Sequence, residues 1–195
     1  SLSWKNAPAL RGGVLRASHV WAEDQEAYCR VIAQIEYLSG LRVPVITYES
    51  LLAEPTKTLE FACSELGIDF EPAMINFHQE NRNQAHASMV AEWKNTDKPL
   101  IANNAGKYRE NLSFDEIQYI ETTCVEGMNV LNYELTHPAL SRAELAKTQK
   151  HLETREPWEK AAYGKLPEEE RARRQSQHVV MQRITKRSWN SKDPI

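Results

Sequence analysis

Apolar residues recur along most of the chain at helical spacing and merge into one uninterrupted run at a single place. From Trp21 to Leu38, Tyr28, Ile32, Ile35 and Leu38, joined by Ala27 and Val31, fall on one face of a 3.6-residue period, and Gly40 supplies the stop. The run follows directly: Val43-Pro44-Val45-Ile46-Thr47-Tyr48 is β-branched and apolar on successive positions, not on alternate ones. That pattern predicts a strand buried on both faces of a parallel sheet, with Pro44 near its start, where a missing N–H is tolerated.

Two more helices carry clear boundary signals. Pro55 suits a first helical position, Leu59, Ala62, Cys63 and Leu66 form an apolar stripe, and Gly67 ends it. Ser113-Phe114-Asp115-Glu116 reads as a capping box, from which Ile117, Ile120, Cys124, Met128 and Leu131 continue an amphipathic helix to Asn132-Tyr133. Residues 1–19, with Pro8 and Gly12-Gly13, read as a loop or short helical turns. A further helix is predicted to begin after Pro72, and Asn81 to Asn111 reads as polar loop.

Pro138 marks a change of chemistry. Residues 141–155 and 167–188 are rich in Glu, Lys, Arg, Gln and Ala, which favour helix but offer little core. The net charge of −3 conceals an asymmetry: residues 138–195 hold 13 basic and 8 acidic residues, against 11 and 19 in residues 1–137. An acidic body thus joins a basic tail, and the overall charge makes no case for nucleic acid or an anionic membrane as partner. Arg171, Arg173, Arg174, Arg183, Lys186 and Arg187 form a basic cluster that reads as a solvated helical face or as a surface for an acidic partner.

With 41% apolar and 26% charged residues, the composition is that of a globular domain. Cys29, Cys63 and Cys124 are an odd number at wide spacing within apolar helical patterns, which predicts reduced core thiols and a cytoplasmic location. The histidines form no HxxxH or HExxH array, so no metal is expected, and no apolar run has the length of a membrane span. One strand cannot form a parallel sheet by itself. Either further strands hide in weakly patterned segments or, the favoured expectation, they lie N-terminal to Ser1.

Val45-Ile46-Thr47-Tyr48-Glu49-Ser50-Leu51-Leu52, then Glu54-Pro55, a helix from Thr58 to Glu65, and Leu66-Gly67-Ile68 resemble the central segment of the sulfotransferases that use 3′-phosphoadenosine 5′-phosphosulfate (PAPS). Gly106-Lys107-Tyr108-Arg109 resembles the family's Gly-x-Trp-(Arg/Lys) segment before its last helix, and Asn132-Tyr133-Glu134-Leu135 the Gly-Tyr ending of that helix. The resemblance covers about residues 1–136 and rests on the order and separation of these motifs. It implies an α/β, P-loop-NTPase-like sulfotransferase fold, represented here by its C-terminal, mostly helical part with few parallel strands. On this reading residues 1–137 are the sulfotransferase-like domain without its N-terminal P-loop, and residues 138–195 are a basic helical extension.

The implied activity is transfer of a sulfuryl group from PAPS to a hydroxyl or amine acceptor, without a metal. This chain by itself is expected to be weakly active or inactive, because the Lys-containing phosphate loop of the family has no counterpart here. Residue by residue, Tyr48 matches a tyrosine near the donor adenine, with a core tyrosine at a strand end as the other reading. Ser1 matches the serine of the 3′-phosphate segment, with Ser3 as the alternate. The family's Arg-Lys-Gly loop is replaced by Ile101-Ala102-Asn103, so Lys107 is the candidate phosphate ligand, with Lys98 and Arg109 as nearby substitutes. No catalytic base is matched: His19 and His86 fit no position of the family, and Glu49 reads as capping or hydrogen-bonding to the neighbouring turn. The alternative is an inactive, sulfotransferase-like helical module for protein interaction, and a homodimer through the tail is the expected assembly.

Overall fold

The computed structural model describes residues 2–7, 10–81, 95–156, 161–176 and 179–180. A short helix α1 (Leu2–Asn6) precedes and packs on the 27-residue helix α2 (Gly13–Ser39). Helix α2 begins two turns before the predicted Trp21, because Val14, Ala17 and Ser18 extend its buried face toward the N-terminus. Its first residue, Gly13, has φ +47, and an added Cβ there would fall 1.7 Å from the carboxyl carbon of Glu156. A side chain there would displace the Glu156 carboxylate, which accepts from the Val14 N–H at 2.8 Å. A chain segment 142 residues away in sequence thus satisfies a helix-terminal donor and complements the α2 dipole.

Helices α3 (Tyr48–Ala53) and α4 (Pro55–Leu66) form one contiguous pair, with Pro55 opening α4 and left-handed Gly67 closing it as predicted. After single turns at Pro72–Met74, Phe77–Gln79 and Ala102–Asn104 come α5 (Tyr108–Asn111), α6 (Phe114–Thr123) and α7 (Val125–Val130). The predicted long helix after Ser113 therefore breaks at Cys124, which leaves helical geometry at φ −99, ψ 7. Helix α8 (Arg142–Arg155), capped by Ser141 and Glu144, packs on α6 and α2, and a short turn of helix α9 (Ala161–Gly164) follows. The core lies where α2 meets α6: Val14, Leu112 and Ile117 are buried together, with Tyr108 and Ile120 against them. Tyr119, Cys124 and, from α8, Leu152 are also buried.

The α/β expectation is not met. Among the described residues there is no strand, and residues 41–47 run without regular structure between α2 and α3. A strand exists only where a neighbour takes its N–H and C=O groups, and no other described segment offers one. The Val43 N–H instead donates to the Glu36 carboxylate at 3.1 Å, and the Thr47 N–H to the Ser50 hydroxyl at 3.2 Å. Val45 and Ile46 remain 45% and 40% exposed, the reverse of burial on both faces. The chain is all-helical in its described part, and Tyr48 begins a helix where a strand end was expected.

The predicted capping box at Ser113 is present, and Glu116 does more than cap. Its carboxylate accepts from the Ser113 N–H at 2.7 Å and pairs with Lys5 of α1 at 2.7 Å while almost buried. Burial acts to raise the Glu116 carboxyl, but the bonds from Lys5 and Ser113 outweigh it and hold the group below its ordinary value. Glu121 is likewise lowered: burial opposes, and donors from Thr136 and His137 prevail. A folded-state value below the unfolded one contributes stability above the unfolded pKa and loses it as pH falls through the folded pKa. The melting temperature is thus expected to stay level from neutral pH to about 5 and to drop below about 4, with Glu116→Gln flattening part of that drop; melts across the pH range measure it.

In the tail, Arg173 and Arg174 both bond to Glu170, at 2.8 and 2.6 Å, so the two guanidiniums share one carboxylate of their own helical segment. Arg183, Lys186 and Arg187 lie outside the described residues.

Candidate functional site

Thr47 caps α3: its hydroxyl accepts from the Ser50 N–H at 3.1 Å while Ser50 reaches back to Thr47. This reciprocal cap sets Tyr48 and Glu49 on the first turn of α3, and Thr58 of α4 holds that turn by donating to the Ser50 carbonyl at 2.9 Å. The Ala102–Asn104 turn packs on α3, and left-handed Gly106 (φ 77) turns the chain into Lys107 and Tyr108. From the other side, Asn132 (φ 58) reverses the chain after α7, so that the next residue, Tyr133, donates its hydroxyl to Glu49 at 2.7 Å. Burial, followed by the Glu49 carboxylate, pushes the Tyr133 phenol up to about 12.

These segments enclose a cleft of about 650 Å3. Trp21, Tyr48, Tyr108 and Tyr133 give it aromatic walls. Trp21 reaches it across α7 because Gly127 has no side chain: a Cβ there would approach the indole at 3.0 Å. Among the described residues Lys107 is the cation that lines the cleft, with Ser3 and Asn104 as neutral polar residues and Glu49, Glu121 and Glu134 as acidic ones. Aromatic faces bind a planar ring by stacking, and an ammonium beside hydroxyl and amide groups binds an anionic oxygen.

The sequence-predicted residues divide clearly. Tyr48, Lys107 and Ser3, which are far apart in sequence, meet in this cleft. Ser1 and His86 lie outside the described residues. Arg109 turns toward the ring and hydroxyl of its neighbour Tyr108, Lys98 bonds to Asn95 at 3.1 Å, and His19 bonds to the Tyr119 hydroxyl at 3.1 Å. Glu49 receives the Tyr133 hydroxyl across the cleft. Asn104 and Trp21 were not singled out, Asn104 because it lies in a stretch read as loop and Trp21 because it lies at the end of a helical stripe.

A second groove of about 350 Å3 lies between the C-terminal half of α2 and residues 45–47 and is lined mostly by apolar groups such as Tyr28, Ile32, Val45 and Val130. Cys29 borders it, and all three cysteines are free thiols. Burial pushes the Cys124 thiol up to about 11, which makes it unreactive. Among the described residues no group of His, Cys, Asp and Glu is placed to hold a metal, and no helix is long and apolar enough to cross a membrane.

No protein-family model matches the chain, and no solved structure matches it. Two curated proteins, carbohydrate sulfotransferase 2 of Mus musculus and of Homo sapiens, are each 29% identical to it over 110 residues. The match covers 53% of this chain and 19% of each relative, so the chain spans about a fifth of their length. Over about half of its length, the chain is distantly related to sulfotransferases.

Proposed function

We propose that this chain supplies part of the donor site of a PAPS-dependent sulfotransferase, with the cleft around Tyr48 and Lys107 holding the adenosine bisphosphate portion of the donor. One observation carries the reading: Tyr48, matched to a donor contact by sequence, lines the same cleft as Lys107, the candidate substitute phosphate ligand, and Ser3, the alternate to Ser1. In the reaction the sulfuryl group leaves the 5′-phosphate oxygen of PAPS for a hydroxyl or amine of the acceptor. The acceptor proton passes to a base, and adenosine 3′,5′-bisphosphate departs. Negative charge gathers on the departing phosphate, so fixed cations and N–H or O–H donors lower the barrier. In this chain Lys107 supplies such a cation, Tyr48 and Trp21 supply faces for the base, and the Tyr133–Glu49 bond ties one wall of the cleft to α3. The base and the lysine of the phosphate loop are not assigned to residues of this chain.

Titration of the chain with adenosine 3′,5′-bisphosphate tests the reading. Saturable binding is expected, weakened about tenfold or more by Lys107→Ala and by Tyr48→Ala, the size of one charge-assisted hydrogen bond or one stacked ring. Absence of binding would reject it. A second reading, an inactive sulfotransferase-like module, draws on the acidic residues Glu49, Glu121 and Glu134 that line the cleft beside Lys107 among the described residues; under it neither PAPS nor the bisphosphate binds.

A further inference from the structure

Between Tyr48 and Lys107 stands Asn104, tied to both. The Lys107 ammonium donates to Asn104 Oδ1 at 2.6 Å, and Asn104 Nδ2 donates to the Tyr48 hydroxyl. The direction of this chain of bonds is fixed by chemistry: an ammonium can only donate, so the amide oxygen must face Lys107 and the amide nitrogen must face Tyr48. The Tyr48 oxygen is then an acceptor in the bond, and its own proton is turned away from Asn104. Lys107, held by one of its three N–H groups, keeps two for another partner. Bonds aligned head to tail in this way polarise one another and strengthen the free donor at the end of the chain, the Tyr48 O–H.

We propose that Asn104 is the positioning residue of the cleft, which sets Tyr48 and Lys107 as simultaneous hydrogen-bond donors to a single acceptor-rich anion. The proposal rests on the nucleotide reading above and names the ligand accordingly: an adenosine bisphosphate, with Lys107 on a phosphate oxygen and the Tyr48 O–H on an acceptor of the same molecule. Asn104 is half-buried and Lys107 exposed, so the arrangement is reached from solvent without displacing core.

Two substitutions at Asn104 separate positioning from plain support. Asn104→Asp has nearly the same shape and keeps a hydrogen bond to each neighbour. Its carboxylate, however, neutralises the ammonium and accepts from Tyr48, which turns the tyrosine proton inward. Asn104→Ala removes both bonds but leaves the two donors free. Were Asn104 only a structural tie, Ala would be the more damaging change; if it positions donors, Asp is.

Calorimetric titration of the full chain with adenosine 3′,5′-bisphosphate, beside far-UV circular dichroism of each variant, reads the difference. The expected order is wild type tightest, Asn104→Ala weaker by about 3- to 10-fold, and Asn104→Asp weaker by about 30-fold or more. Tyr48→Phe should cost several-fold in the wild type and almost nothing added to Asn104→Asp, because the proton it removes has already been turned away. Binding by the wild type with Asn104→Asp equal to or tighter than Asn104→Ala would overturn the positioning role and leave the nucleotide reading standing. No binding by the wild type would overturn both.

Discussion

Replacing Tyr119 with alanine is expected to destabilise the chain by about 3–5 kcal/mol, the range for deleting a buried aromatic ring. Tyr119 is 1% exposed and sits on α6, the helix that meets both α2 and α8. Its ring meets His19 of α2 edge to face at 6.4 Å, and its hydroxyl lies 3.1 Å from His19 Nε2. Burial raises its phenol above the ordinary value, so the neutral hydroxyl is the form that holds this contact. Tyr119→Phe keeps the ring and loses only the hydroxyl bond, so about 1 kcal/mol is expected, and that variant stays folded. Urea unfolding of the two variants measures both values. Total stability for such a domain is on the order of 5–15 kcal/mol, so the alanine variant is expected to be partly unfolded near body temperature. A loss below 1 kcal/mol for alanine would mean that α2 and α6 do not pack as described.

The elements with local signals were legible in the sequence. Pro55 and Gly67 bound α4, and Ser113 with Glu116 starts α6, because helix termini are decided by side chains within one turn of the backbone groups they satisfy. The run from Val43 to Tyr48 misled for the opposite reason. Strand formation depends on a partner elsewhere, and with none among the described residues the Thr47 cap wins and starts a helix at Tyr48. The break at Cys124 was hidden because the apolar spacing of Ile117, Ile120, Cys124 and Met128 runs through it unchanged. The early start of α2 is hidden because Gly12-Gly13 normally punctuates, whereas here Gly13 opens the helix and leaves room for a carboxylate from the distant Glu156. Of the cleft, Tyr48 and Lys107 were legible through motif order. The Asn104 bridge and the Tyr133–Glu49 bond were not, since each joins residues whose sequence neighbours give no sign of the contact.

Glu121→Ala is expected to cost about 3 kcal/mol and to weaken nucleotide binding with it. The Glu121 carboxylate is 5% exposed and accepts from the Thr136 N–H at 3.1 Å, the Thr136 hydroxyl and the His137 N–H at 3.0 Å. Alanine leaves two backbone donors without an acceptor, each worth about 1–3 kcal/mol, with water recovering part of the loss at this half-open edge. The same bonds hold the strand-free segment after α7 in place, three residues from the Tyr133 that closes on Glu49. Release of that segment loosens one wall of the cleft, so the bisphosphate titration should weaken by several-fold beyond any effect of unfolding. The pH dependence distinguishes this carboxylate from a merely space-filling side chain. Its folded-state pKa is lowered, so its contribution is present above the unfolded value and disappears as pH falls through the folded one. The stability gap between wild type and Glu121→Ala should therefore be full at neutral pH and narrow below about pH 4. A gap of equal size at pH 3 and pH 7 would show that the protonated acid serves as well, and that packing, not the charge, is what Thr136 and His137 require.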